Sequence, residues 1–177
     1  MNFDKFVFRQ INADTQIKSF DCGDADLNDF LSHDAVDYYK SMMALTYLIE
    51  DEDKTVVYYS LLNDKIVFDP ESRSFWNRLN RKIANSKRRK EYPAVKIGRL
   101  AVSKDYAGLR IGTAIILQIK HLFAAMRVSA CRFITVDAYA AAVPFYERNG
   151  FMFLTEKDAN SETRAMYFDL INSKSSD

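Results

Sequence analysis

Two glycines, Gly108 and Gly112, stand between an apolar run with β-branched ends, residues 97–102, and a stretch of helical periodicity that reaches residue 119. The polar turn Ser103-Lys104-Asp105 separates run from loop. Strand, glycine loop and helix in that order leave the first amides of the helix without carbonyl partners, and the helix dipole adds partial positive charge at the same end. The chemistry on offer is anion binding, with a phosphate as a fitting occupant. No Gly-Lys-Ser/Thr follows, and the full G-x-G-x-x-G of a dinucleotide fold is missing. A second stretch, residues 134–153, reads ITVDAYAAAVPFYERNGFMF: an apolar strand, a short helix stopped at Asn149-Gly150, and a further strand over 151–154.

Arg99-Leu100-Ala101-Val102, the G-x-x-x-G loop, the amphipathic helix after it, Val136-Asp137-Ala138, and A-x-x-F-Y-x-x-x-G-F from Ala142 to Phe151 resemble the GNAT family of acyl-CoA-dependent N-acetyltransferases. The resemblance covers residues 92–169 and is most specific over 142–151. The family's loop reads Gln/Arg-x-x-Gly-x-Gly/Ala; the three places hold Ala107, Arg110 and Gly112 here, so two of three depart. Arg110 puts a Cβ where the family has none, and either offers its charge to a CoA phosphate or is an exposed structural arginine.

The resemblance implies acetyl-CoA as cosubstrate. It assigns the main chain of Leu100, Ala101 and Val102 to pantetheine and thioester, and Ala107, Gly108, Leu109, Arg110, Ile111, Gly112 and Thr113 to the pyrophosphate. Ala138 and Phe145 complete the cofactor contacts. Tyr146 falls where the family places a tyrosine near the thioester sulfur, either as proton donor to the leaving thiolate or only packing CoA. Direct attack by a primary amine in a ternary complex is the implied reaction. Glu50, Asp137 and Glu147 are unranked candidates for relaying the amine's proton, while Cys22 and Cys131 lack a partner that would activate a thiolate for a ping-pong route. F-x-C-x-x-x-x-L-x-x-F-L, residues 20–31, is also similar to a GNAT subgroup containing bacterial toxins that acetylate aminoacyl-tRNA, which implies tRNA and an antitoxin as partners. A non-catalytic acyl-CoA-binding module is the competing reading.

At 177 residues and 48% hydrophobic, the chain is long enough for one domain, expected over 1–171 with a disordered tail at 172–177. A net charge of +1 gives no whole-molecule attraction to nucleic acid, so anion preference must be local. Two cysteines and two histidines, His33 and His121, lack metal spacing; reduced thiols and no metal are expected. Residues 3–11 are broken by Lys5 and Arg9, so neither signal peptide nor membrane span is read, and a cytoplasmic monomer or homodimer is expected.

The positioning elements are read from pattern. Phe3, Phe6 and Phe8 mark a first strand, and Asp24 can cap a helix whose Leu27, Phe30, Leu31, Ala35 and Tyr38 face inward. Residues 44–50 and 55–62 form a hairpin around Asp51-Glu52-Asp53, with Tyr58 and Tyr59 on opposite faces, one in the core and the other either packed or lining an acceptor groove. Residues 72–90 carry Arg and Lys without an acid; Phe75, Trp76, Leu79 and Ile83 give a packed helix face, with a loop over 86–90 after it. Arg88, Arg89 and Lys90 are either solvated or an RNA-phosphate patch. A polar loop over 156–164 and a strand over 165–170 close the chain. The expected fold is a single α/β (α+β) GNAT-like domain: a mixed, largely antiparallel twisted sheet, helices on both faces, a splayed acetyl-CoA-binding strand pair, and the order β-α-β-β-α-β-α-β-α-β-β.

Overall fold

The computed structural model describes residues 6–70, 73–81 and 90–174. The strands β1 (Val7–Gln10), β2 (Leu45–Glu50), β3 (Thr55–Val67), β4 (Glu91–Val102), β5 (Phe133–Tyr139), β6 (Met152–Phe153) and β7 (Thr163–Asp169) form one mixed sheet in the order β1-β2-β3-β4-β5-β7-β6. The helices are α1 (Ala25–Asp29), α2 (Ala35–Lys40), α3 (Arg73–Arg81), α4 (Ile111–Ala124) and α5 (Val143–Arg148), and they alternate with the strands as the sequence pattern expects. Backbone contacts group the chain into two compact units, Met1–Leu62 with Ile97–Ile119, and Asn63–Lys96 with Lys120–Asp177.

In the first unit, Asp24 caps α1 as expected: its Oδ1 accepts from the Leu27 amide at 3.0 Å, a contact typically worth about 1 kcal/mol. Helical periodicity then brings Phe30 and Leu31 inward, where they join Ile11, Ala35, Leu48, Tyr58 and Ala101 in one cluster. The register does not continue undisturbed. A π turn, Phe30–Asp34, separates α1 from α2, with the Ala35 amide bonding back to the Phe30 carbonyl. The extra residue rotates α2 relative to α1, so Tyr38 is 40% exposed rather than inward-facing, although its ring still meets Phe30 edge-on at 5.2 Å. The hairpin decides an alternative that the sequence left open, in favour of packing for both tyrosines. Tyr58 is buried and donates to the Leu27 carbonyl at 2.7 Å; Tyr59 is equally buried and stacks on Tyr47 at 5.1 Å.

In the second unit, Trp76 and Leu79 of α3 pack with Ile66, Tyr92, Ala94, Phe133 and Tyr167, and Phe75 meets Tyr167 edge-on at 5.1 Å. Residues 82–89 of the basic run, Ile83, Arg88 and Arg89 among them, lie outside the described residues; Lys90 is exposed. β5 and β7 pair antiparallel from Phe133↔Asp169 to Tyr139↔Thr163, and β6 adds to β7. Both β3 and β4 are longer than the alternation suggests. β3 runs on past residue 62, the expected end of its strand, and in the added stretch Asp64 accepts from the Thr135 hydroxyl at 2.5 Å and lies 3.9 Å from Lys96. At the C-terminus a 3₁₀ helix spans Leu170–Lys174.

Candidate active site

The loop ahead of α4 is built to leave amides free. Ser103 ends β4 by donating its amide to Val56 O at 2.8 Å, and a 3₁₀ turn, Lys104–Tyr106, comes next. Three links from outside the loop anchor that turn: Lys104 pairs with Asp21, Lys54 with Asp105 at 2.6 Å, and the Tyr106 hydroxyl donates to Asp51. The Lys104 ammonium and the Gly23 amide hold the Asp21 carboxyl at about 2, and the Tyr106 hydroxyl likewise lowers that of Asp51.

Beyond the turn Gly108 has φ +78° and Arg110 φ +58°. The first helical bond is Ala114 N to Arg110 O at 3.1 Å. Among the described residues, no carbonyl or side chain takes the amides of Gly108, Leu109, Arg110, Ile111, Gly112 or Thr113. Arg110, where the family has glycine, keeps the left-handed backbone a glycine would favour, at a cost of about 1–2 kcal/mol, so the loop retains its bend while gaining a cation. The Arg110 side chain is exposed and pairs with no carboxylate among the described residues. Clustered free amides, a helix dipole and an unpaired guanidinium fit a pyrophosphate.

On β4, a Cβ on Gly98 would lie 2.7 Å from Leu62 Cδ2, so a larger residue there would displace that side chain. Ala101 belongs to the buried cluster that includes Tyr58, and the Arg99 guanidinium lies 5.0 Å from the Phe30 ring centroid. Leu100 and Val102 are half-buried and Ala101 is buried.

Tyr146 lies on α5, which has Pro144 in its first turn and a double cap at its end. The Gly150 amide bonds to Glu147 O at 2.8 Å and the Phe151 amide to Tyr146 O at 3.0 Å, with Gly150 at φ +77°. This is the Schellman arrangement, and its usual apolar contact is the Tyr146–Phe151 ring pair at 5.3 Å. Phe145, half-buried, meets the Tyr146 ring edge-on at 5.1 Å, and Ala138 is buried on β5. Tyr146 is 6% exposed. Its hydroxyl bonds to none of the described residues, yet unlike that of Tyr59 it is not sealed off. Burial raises its pKa further above the usual tyrosine value, so the phenol is protonated at any working pH.

The candidate bases fare unequally. Glu50 is buried with both oxygens taken by Arg9, at 2.6 and 3.0 Å. Asp137 pairs with Lys96 at 2.8 Å. Glu147 is exposed and pairs with no group among the described residues. Burial raises both thiols, Cys131 to about 11, so neither supplies a thiolate for a covalent intermediate. Arg9 and Lys96 had no signal in the sequence, because their partners are 41 residues away. Among the described residues no cluster of His, Cys, Asp or Glu has the makings of a metal site, and no helix is long and apolar enough to cross a membrane.

The amides ahead of α4 can take an anion, and the phenol on α5 is a proton-bearing donor. A family model described as Acetyltransferase (GNAT) domain matches residues 54–166. The chain belongs to this GNAT acetyltransferase family, and it is an N-acyltransferase with acetyl-CoA as donor. Solved structures agree on the fold over nearly the whole chain. A bacterial toxin matches with TM-score 0.77 at 15% identity, covering 97% of this chain and 96% of its own. AtaT complexed with acetyl-methionyl-tRNAfMet matches with TM-score 0.75 at 20% identity, covering 96% and 97%. AtaTR bound with AcCoA matches with TM-score 0.74 at 21% identity, covering 97% of each.

Proposed function

We propose that this acetyltransferase acts on the α-amino group of an aminoacyl-tRNA, as a toxin restrained by a partner protein. The observation that carries the reading is the engagement of two of the three candidate bases: Glu50 is locked by Arg9 and Asp137 is paired with Lys96. A lysine or polyamine acceptor, with a pKa near 10.4, would need strong deprotonation, whereas a free α-amino group sits at about 8, and esterification lowers it further. An aminoacyl ester arrives with much of its amine neutral and needs no dedicated base. The full-length likeness to toxins, one of them solved with an acetylated aminoacyl-tRNA, supports the same acceptor, and structures of AtaT with the C-terminus of the antitoxin AtaR support a restraining partner.

In this reading the amides of residues 108–113, helped by Arg110 and preceded by Ala107, hold the pyrophosphate. The main chain of Leu100, Ala101 and Val102, at the end of β4, pairs with the pantetheine and receives the oxyanion. Ala138 and Phe145 line the cofactor. The amine forms its bond to the acetyl carbon, the carbon–sulfur bond breaks, and the proton released by nitrogen ends on sulfur. Tyr146 donates a hydrogen bond to the developing thiolate. Full proton transfer from the phenol is uphill, because a free thiol titrates near 8.5 while burial has raised the phenol above its usual value. Arg88, Arg89 and Lys90 contact tRNA phosphates.

Labelled acetyl-CoA offered alongside charged tRNAs, polyamines, peptides and free amino acids tests the acceptor. Label should enter the aminoacyl-tRNA; transfer to polyamines or peptides with none to charged tRNA would overturn the reading while leaving the acetyltransferase assignment intact.

A further inference from the structure

Lys120, on the last turns of α4, points its ammonium at the end of another helix. Its Nζ donates to the Asn149 carbonyl at 2.5 Å and stands 3.7 Å from the Phe168 ring centroid and 5.6 Å from that of Phe151. Asn149 is the C-cap of α5. Three carbonyls of the preceding turn are served from within the cap: Asn149 Nδ2 donates to Phe145 O at 2.8 Å, the Phe151 amide to Tyr146 O, and the Gly150 amide to Glu147 O. Lys120 is thus the donor that ties this cap to a separate element. α5 spans six residues, too few to hold a helical shape without tertiary support, so the placement of Tyr146 depends on how its C-terminus is held.

We propose that Lys120 is a positioning residue for acetyl transfer, clamping the C-cap of α5 so that the Tyr146 hydroxyl is held in place, and that the clamp weakens when the ammonium loses its proton. The inference rests on the role given to Tyr146 in the proposed function. A charged donor makes roughly twice as strong a bond to a carbonyl as a neutral amine, and only the ammonium gains from the ring faces of Phe168 and Phe151 and from the negative end of the helix. The clamp has no counter-ion among the described residues. Of the ionisable groups on the packed elements, Asp169 is taken by Arg132 and Arg164 by Asp158, while Tyr146, Glu147 and Arg148 of α5 and His121 of α4 form no pair with Lys120. Burial without compensation brings the Lys120 pKa down to about 8, so the change of state falls just above neutral pH.

The test compares wild type, Lys120→Met and Lys120→Arg. Amide shifts of Gly150 and Phe151, monitored by NMR from about pH 6.5 to 9.5 on the protein without ligands, should titrate near pH 8 in wild type and stay flat in Lys120→Arg and Lys120→Met. With a working acceptor, Lys120→Met should lower kcat about three- to tenfold at pH 7, modest beside the hundredfold that a 1 Å misplacement can cost, with acetyl-CoA affinity unchanged. Lys120→Arg should recover most of that loss and keep its kcat above pH 8, where wild type declines. Flat Gly150 and Phe151 amides in wild type, or a Lys120→Met enzyme with wild-type kcat and pH profile, would overturn the proposal. Should no acceptor turn over, the functional reading fails, and the amide titration still decides the clamp; if Lys120→Met does not fold, wild type and Lys120→Arg decide it.

Discussion

Tyr146 keeps its proton because a buried ring pressed between Phe145 and Phe151 cannot carry a phenolate cheaply. Tyr146→Phe retains the ring and its packing but removes the donor. The expected result is a fall in kcat of at least about tenfold, less than the roughly hundredfold or more of full general-acid catalysis because only a hydrogen bond to the thiolate is lost, with the acetyl-CoA dissociation constant unchanged by calorimetry. An unaltered kcat under conditions where chemistry limits the rate would return Tyr146 to a packing role. At the loop, Gly112→Asp places a carboxylate among amides expected to meet phosphate, and should weaken acetyl-CoA binding by more than about tenfold. Arg110→Gly separates backbone from charge: relief of the left-handed strain should hold or raise the melting temperature, while loss of the guanidinium should weaken acetyl-CoA binding. Unchanged binding would make Arg110 a bystander.

At the level of elements, what matters is how the loop and the short helix are held. The Asp21–Lys104 link anchors the turn before the loop, and its pH dependence has a definite sign. Asp21 has a folded pKa of about 2, below the value of 3.8 it has when free, so its contribution is present above pH 4 and is lost as pH falls toward 2. The melting-temperature difference between wild type and Asp21→Asn should therefore be largest above pH 4 and shrink below it; a constant difference down to pH 2 would argue against the link. For α5, Gly150 holds φ +77°, and an added Cβ would stand 3.4 Å from the Phe168 ring. Gly150→Ala should destabilise by about 1–2 kcal/mol and, by disturbing the cap, lower kcat more than it raises the KM for acetyl-CoA.

Across the whole molecule, a near-neutral charge means that the proposed attraction to tRNA must come from local patches. Replacing Arg88, Arg89 and Lys90 together by Ala should cut affinity for tRNA and flatten its salt dependence by up to about three phosphate contacts, while acetyl-CoA binding stays intact. Unchanged tRNA binding at low salt would assign the run to a solvated surface.

The order of strands and helices, the Asp24 cap, the stop at Gly150 and the loop of free amides ahead of α4 were all legible in the sequence, because each depends on neighbours within a turn or two. Even the departure at Arg110 was visible there, but not its outcome: that a non-glycine holds φ +58° is a property of the folded loop. Tertiary structure alone decided the rest. The π turn after Asp29 moved Tyr38 outward, and β2 sealed Tyr59 beneath Tyr47. Glu50 lost its availability as a base to an arginine on β1, and Lys120 met the end of α5 across 29 residues. Charge pairing and desolvation act through space, and a pattern of spacings along the chain does not record which distant side chain arrives to neutralise or bury a given group.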